Sequence, residues 1–327
     1  MHNTKDYGYL TRRRQAAKPA VADHTAIITG ASGGLGFECA RALLARDDSW
    51  HVVLAVRDAE RGRDAAARLG DPGRCTVMDC ELASQDSVRS FVAECREADL
   101  PPVAALVCNA GLQVLSQTLR SADGIELTFA VNHIGHFAFV LGLLDRLARP
   151  ARIVIVSSGT HDPAKRTGMP APRYTSAHEL ADAGAAADEP AETAGRRRYT
   201  TSKLCNVLFA YELDRRLGHG GKGMTVNVFD PGLMPGSGLA RDYAPWQRFA
   251  WRFVLPVMRV LPGVHSTRTS GQRLAALAAD PRFEGVSGRY FDGLKDVRSS
   301  ADSYDLELAD DLWSTSERLC GLSGPPR

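Results

Sequence analysis

The sequence has no Cys-x-x-Cys pair. Its seven cysteines (39, 75, 80, 95, 108, 205, 320) form an odd, scattered set, which argues against a disulfide framework and for reduced thiols in a cytoplasmic protein. No apolar run reaches the roughly 20 residues that a membrane span needs, so no integral membrane segment is expected. Charge of one sign is also missing: 40 Lys+Arg stand against 38 Asp+Glu, a formal net charge of +2. The basic residues are dispersed and only six of them are lysines. Without a basic stripe there is no case for a nucleic-acid partner. The first 23 residues are polar and lack the apolar core of a secretory leader, so they are expected to be a flexible arm.

From residue 24 onward, short β-branched runs alternate with amphipathic stretches. "TAIITG" (25–30), "HVVLAV" (51–56), "RCTVM" (74–78), "VAALVCNAG" (103–111), "ARIVIVSS" (151–158) and "MTVNVFDPG" (224–232) have the length and composition of strands. Between them lie helical patterns at 35–46, 58–70, around 87–95, around 124–148 and at 199–217. Strands that are apolar throughout, each followed by a helix, predict a parallel sheet buried on both faces. The expected fold is therefore α/β: one Rossmann-type, doubly wound sheet of about seven strands in a single domain over 24–327. Residues 161–198 are rich in Ala, Pro and polar types without periodicity, and are expected to be an insertion before a catalytic helix rather than core. The run 246–262, "WQRFAWRFVLPVMRVLP", is apolar and aromatic with interspersed arginines. It reads either as a kinked helix pair on the core or as part of a helical substrate lid over 238–270, with an interfacial membrane helix as a third reading.

After the first strand comes "TGASGGLG" (29–36), with Gly30, Gly34 and Gly36. A chain that must turn tightly out of a strand, pass close to a pyrophosphate and present helix N-terminal amides needs such glycines. The second strand ends in Val56, where an NAD-binding protein usually carries an acid, and Arg57 follows. A cation there suits a 2′-phosphate, so NADP(H) is the expected cofactor. Asp58, if turned inward, would favour NAD. Tyr199 and Lys203 stand four apart, one above the other on a helix face. Alone this spacing is a weak motif. A nearby ammonium, however, favours a phenolate and lowers a phenol pKa that is ordinarily near 10.

Taken in order, these elements resemble the short-chain dehydrogenase/reductase superfamily along nearly the whole chain after residue 24. "CNAG" (108–111) is similar to its Asn-Asn-Ala-Gly element, with Cys108 in place of the first asparagine. "NHIGHF" (132–137) resembles its active-site asparagine helix, "RIVIVSS" (152–158) its serine strand, and "DPG" (230–232) the turn bordering the nicotinamide. The resemblance implies Asn132, Ser158, Tyr199 and Lys203 as catalytic residues, with Ser157 as the alternative serine. In that set Tyr199 is the acid/base, Ser158 binds the substrate oxygen, and Lys203 also binds the nicotinamide ribose. Asn132 holds a water leading from Lys203 to solvent. Implied cofactor contacts are Gly30, Ser32, Gly33, Gly34, Leu35, Gly36, Arg57, Glu81, Leu82, Asn109, Ala110, Gly111, Tyr199, Lys203, Pro231, Gly232, Leu233 and Ser237. Ser237 stands in for a threonine expected where Gly236 lies, and Asp79 competes with Glu81 for the place near the adenine. His133 and His136 are three apart, but no third metal ligand is apparent.

"SKLCN", the insertion and "LWSTSERLCGL" (312–322) look like the subgroup of light-dependent protochlorophyllide reductases and retinol-dehydrogenase-like enzymes. Cys108 and Cys205 fall where the photoenzymes carry cysteines, whereas Leu233 and Val56 stand where they carry two more. That departure argues against light-driven chemistry. The expected activity is NADPH-dependent hydride transfer on a carbonyl or alcohol of a bulky apolar small molecule. The alternatives are C=C reduction on a conjugated ring and a catalytically silent NADP-binding sensor. Whether the chain is a monomer or a homo-oligomer stays open.

Overall fold

The computed structural model describes residues 22–47, 49–184, 188–234 and 265–322. Eight strands form one sheet in the order β3-β2-β1-β4-β5-β6-β7-β8. They are β1 (His24–Thr29), β2 (Trp50–Val56), β3 (Cys75–Asp79), β4 (Val103–Cys108), β5 (Leu147–Val156), β6 (Met224–Asp230), β7 (Arg289–Asp292) and β8 (Lys295–Val297). The first seven are parallel neighbours and β8 returns antiparallel to β7. Neither β7 nor β8 is among the six runs read as strands; they are four and three residues long, too short to show an apolar run.

Side chains alternate across the sheet as a period of two requires. Ile27, Val53, Leu106, Ile153 and Val226 enter one core; Ala26, Ile28, Val52, Leu54, Val107 and Val154 enter the other. The first core is covered by α3 (Gln85–Glu97), α5 (Gly135–Leu143), α7 (Ala191–Leu217) and α9 (Leu306–Leu319). The second is covered by α1 (Gly34–Leu44) and α8 (Thr267–Ala279). Each fully buried Ile, Leu or Phe contributes about 1.5–3 kcal/mol of transfer free energy. Two-sided burial explains why the strand runs carry so few polar residues.

Helix ends follow their local chemistry. Asp58 caps α2 (Ala59–Leu69) by accepting from the Arg61 N–H at 3.0 Å, and Gly70 closes it at φ 76°. Ser84 caps α3 and Ser266 caps α8. One α-helical turn, α4 (Leu127–Phe129), leads through a π-helical segment (Ala130–Ile134) into α5. The continuous stretch Leu127–Arg146 is long and apolar enough by composition to cross a membrane, but most of it is buried inside the protein. It is the central core helix, apolar all round because protein surrounds it.

Two segments set apart in the sequence are placed in part. Within 161–198, expected to be an insertion rather than core, His161, Ala177, Leu180, Ala181 and Ala194 are buried, Ala177–Ala181 forms α6, and α7 begins at Ala191. Short helical pieces gave no long period to detect. Of the 238–270 lid, residues 267–270 are the first turn of α8, packed on α1, where a Cβ at Gly271 would lie 2.3 Å from the Glu38 Cβ. Ser237, the run 246–262 and residues 1–21 of the arm lie outside the described residues.

Candidate active site

Strand order reverses at β1, whose neighbours are β2 and β4. In an open parallel sheet this switch point opens a crevice beyond the strand C-termini, where ligands bind. The glycine loop leaves β1 there. Gly30 turns at φ 68° and Gly34 at φ 58°, conformations that favour glycine. A Cβ at Gly36 would fall 2.6 Å from Asn109 Nδ2 and 2.9 Å from the Gly30 carbonyl, so α1 can approach the 109–111 loop this closely only with glycine. A Cβ at Gly33 or Gly34, by contrast, would meet nothing within 4 Å. The first turn of α1 has neither a side-chain cap nor an acid. Uncapped amides beside open space fit the pyrophosphate of a dinucleotide. Ser32 and the buried Leu35 complete the loop, and the Ser32 carbonyl accepts from Arg68 at 3.2 Å.

At the adenosine end, Arg57 is exposed just beyond β2, while the Asp58 carboxylate is engaged as the cap of α2. Asp79 is exposed at the end of β3. The Glu81 carboxylate accepts from the Ala83 N–H at 3.0 Å, and Leu82 is buried against Gly135.

Across the crevice, Asn109 donates from Nδ2 to the Thr29 carbonyl at 2.8 Å. The Asn109 and Ala110 amides donate to the Thr29 hydroxyl at 2.9 and 3.0 Å. Gly111 lies between the catalytic candidates: a Cβ on it would be 3.3 Å from Asn132 Oδ1 and 3.5 Å from Lys203 Nζ. Asn132, fully buried in the π segment, accepts from the Leu112 N–H at 2.8 Å. It donates to the Leu112 carbonyl at 3.0 Å and to Ser202 at 2.9 Å.

Tyr199 and Lys203 are both buried on α7, with the ammonium 5.6 Å from the phenol ring centroid. Lys203 donates to the Val156 carbonyl at 3.3 Å, which ties it to the end of β5. Burial lowers its pKa to about 8, and the Asp230 carboxylate opposes that shift. The adjacent serines part ways. Ser157 is buried with its hydroxyl given to the Lys203 carbonyl at 2.8 Å, whereas Ser158 is half-buried and, among the described residues, accepts from the Thr160 N–H at 3.3 Å without donating. Ser158 therefore keeps a hydroxyl proton to offer, which favours it over Ser157. The turn after β6 is held by Asp230 Oδ1, which accepts from the Gly232 N–H at 3.0 Å, and by Ser270, which donates to the Pro231 carbonyl at 2.8 Å. Leu233 follows, 43% exposed.

Sequence reasoning missed a buried polar group next to Ser158. Asp230 Oδ2 accepts from Tyr290 at 2.9 Å and from Lys165 at 3.3 Å; Lys165 also reaches Asp292 at 3.2 Å. His161 bonds the Ser158 carbonyl through Nδ1 at 2.8 Å and accepts from the Ser300 N–H on Nε2 at 3.1 Å. This cluster pins the catalytic strand end, the Pro-Gly turn and the 161–165 segment together. Only the acid in "DPG" hinted at it; the partners come from distant parts of the chain. His133 bonds Ser316 at 2.8 Å, while His136 bonds Thr29, so the two histidines serve different partners. Among the described residues no cluster of His, Cys, Asp or Glu has the makings of a metal site.

Comparison with known proteins matches residues 24–176 to the short chain dehydrogenase family. The chain is 35% identical to protochlorophyllide reductase B of Hordeum vulgare over 329 residues, spanning 94% of this chain and 81% of the relative. Among solved structures, an uncharacterized protein from Mycobacterium Paratuberculosis superimposes with TM-score 0.65 at 28% identity, covering 94% of this chain and 96% of the other. A blue fluorescent protein from a metagenomic library, solved in complex with NADPH, shares the fold with TM-score 0.61 at 23% identity, over 84% of this chain and 98% of its own.

Proposed function

The chain belongs to the short-chain dehydrogenase/reductase superfamily, in its protochlorophyllide-reductase-like subgroup, and is an oxidoreductase using a nicotinamide cofactor; on that premise we propose that it is an NADPH-dependent reductase acting on a carbonyl, reversibly with the alcohol, of a bulky apolar small molecule. The observation that carries this reading is the buried Tyr199–Lys203 pair, its ammonium bordering Gly111, with Ser158 just beyond β5 holding a hydroxyl proton to give.

When bound, NADPH supplies the hydride. Ser158 donates to the carbonyl oxygen and fixes its position. Tyr199 transfers its phenolic proton to that oxygen, and the cationic Lys203 stabilises the phenolate that remains. Asn132 holds the water through which the phenolate is reprotonated. Spectrophotometry of NADPH oxidation with a panel of ketones, aldehydes and enones tests the reading: turnover on C=O substrates is expected. NADPH binding without turnover on any of them would point instead to a silent sensor.

The second reading, C=C reduction on a conjugated ring, draws on the likeness to a protochlorophyllide reductase. Tyr199 would then protonate carbon. Product analysis on an enone, with and without light, separates the two. The seven unpaired cysteines support a reducing, cytoplasmic setting.

The NADP(H) preference rests on Arg57, with Asp58 held as a helix cap. Arg57→Ala is expected to weaken NADPH about tenfold relative to NADH, the loss of one charge-assisted phosphate contact. An unchanged ratio in fluorescence titrations would move the selectivity to another residue.

The Lys203 pKa of about 8 gives a pH prediction. The ammonium form is required, so the reductive kcat/KM should fall as pH rises through about 8. Asp230 favours the charged form, so Asp230→Asn should move that limb to lower pH. A limb that stays in place would dissociate Asp230 from Lys203.

A further inference from the structure

His136 is a buried titratable side chain that the mechanism above leaves without a role. It lies on α5, one turn beyond Asn132. Its Nε2 is 2.9 Å from the Thr29 hydroxyl, and its Nδ1 is 3.1 Å from the Asn132 main-chain carbonyl.

Counting donors settles its tautomer. A hydroxyl has one proton to give and two lone pairs to fill. The Thr29 oxygen already accepts from the Asn109 and Ala110 amides at 2.9 and 3.0 Å. It has no lone pair left for a ring N–H, so its proton goes to His136 Nε2, which must be bare. The alternative acceptor, the Val107 carbonyl, is more distant at 3.4 Å. The ring proton then resides on Nδ1 and is donated to the Asn132 carbonyl.

That carbonyl sits in the π-helical segment, where the Gly135 N–H reaches back five residues to the Ala130 carbonyl. The side chain of Asn132 is already bound to Leu112 and Ser202. We propose that His136 is a positioning residue for the reaction: a neutral imidazole, locked as the Nδ1–H tautomer by Thr29, that fixes the main-chain carbonyl of Asn132, the residue whose side-chain Oδ1 borders Gly111 together with Lys203 Nζ. The inference rests on the reading above, in which Asn132 carries the water that reprotonates the tyrosine. Burial holds the ring neutral by lowering its pKa to about 4, so the lock persists across the working pH range.

Two measurements test it. In the wild-type protein, 15N NMR of labelled histidine should show His136 protonated on Nδ1 and bare on Nε2. The opposite tautomer, or a ring that titrates near neutrality, overturns the proposal without needing any variant to fold. In kinetics, His136→Phe keeps the bulk and loses both bonds; kcat should fall about tenfold or more, with KM and the NADPH Kd within about threefold. His136→Asn can still donate to its own i−4 carbonyl and should recover most of that kcat. Equal losses in both variants, or none in either, overturn the role. A purely structural histidine would lower Tm in both and leave the kcat of the folded fraction unchanged. A wild-type enzyme that turns over no carbonyl would sink the functional reading instead, and the tautomer result would stand apart from it.

Discussion

Tyr199→Phe is expected to lower kcat by about 10²–10⁴-fold while NADPH affinity stays within a few-fold. The size follows from what one positioned general acid supplies. The substitution removes only the hydroxyl. Tyr199 is buried and Lys203 lies 5.6 Å from its ring centroid, so a phenyl ring fills the same volume and keeps the same cationic neighbour. The cofactor loop does not depend on that oxygen: Gly30, Gly36 and Asn109 hold one another. Stopped-flow turnover and fluorescence titration of NADPH check both halves. A phenylalanine variant with near-normal kcat would show that the proton comes from elsewhere, and the acid/base assignment would have to be abandoned.

The second large effect is expected far from any reacting atom. Gly195 is one turn before Tyr199 on α7, where the helix crosses the segment after β4. A Cβ there would lie 2.2 Å from the Val114 carbonyl oxygen and 2.9 Å from the Leu115 Cα. Both are backbone atoms, so neither can swing aside as a side-chain tip could. Helix propensity favours Gly→Ala by about 1 kcal/mol, but overpacking costs about 1–3 kcal/mol or more. The clash should win. It can be relieved only by moving α7 away, and Tyr199 and Lys203 travel with that helix. A displacement near 1 Å at the reacting groups costs on the order of 10²-fold. Gly195→Ala is therefore expected to lose about 1–2 kcal/mol in urea unfolding and about a hundredfold in kcat. Gly73→Ala is the control: its nearest neighbour is a side-chain oxygen 3.9 Å away, and little change is expected there. A Gly195→Ala protein that is more stable and fully active would mean that α7 can leave the 114–115 segment at no cost.

Much of this architecture was legible before any coordinates. The strand runs are apolar because both faces of the sheet are covered, and the glycine loop directly after β1 announced a phosphate site through backbone geometry alone. The Tyr199–Lys203 spacing is a local relation of one helical turn, but it is weak alone, and the pair was assigned through the ordered resemblance around it. The choice between Ser157 and Ser158 was not local. It rests on the Lys203 carbonyl, 46 residues away, which takes the Ser157 hydroxyl, so the proposed substrate contact goes to Ser158. The same holds for Asp58, which could have faced a ribose in sequence terms but in the fold caps α2.

The residues themselves thus determined the fold class and the phosphate loop, written in short periods and glycine spacing, while the ordered motifs carried the resemblance that implied the nicotinamide chemistry and the tyrosine–lysine pair. Tertiary structure alone decided that Ser157 gives its hydroxyl to the Lys203 carbonyl, that His161, Ala177, Leu180 and Ala194 are buried, and that His136, Thr29 and Asn132 form one buried chain of hydrogen bonds. Those outcomes depend on which distant groups satisfy a buried donor or acceptor. Partners as far apart as Ser157 and Lys203, or Thr29 and His136, leave no periodic mark on the chain that carries them.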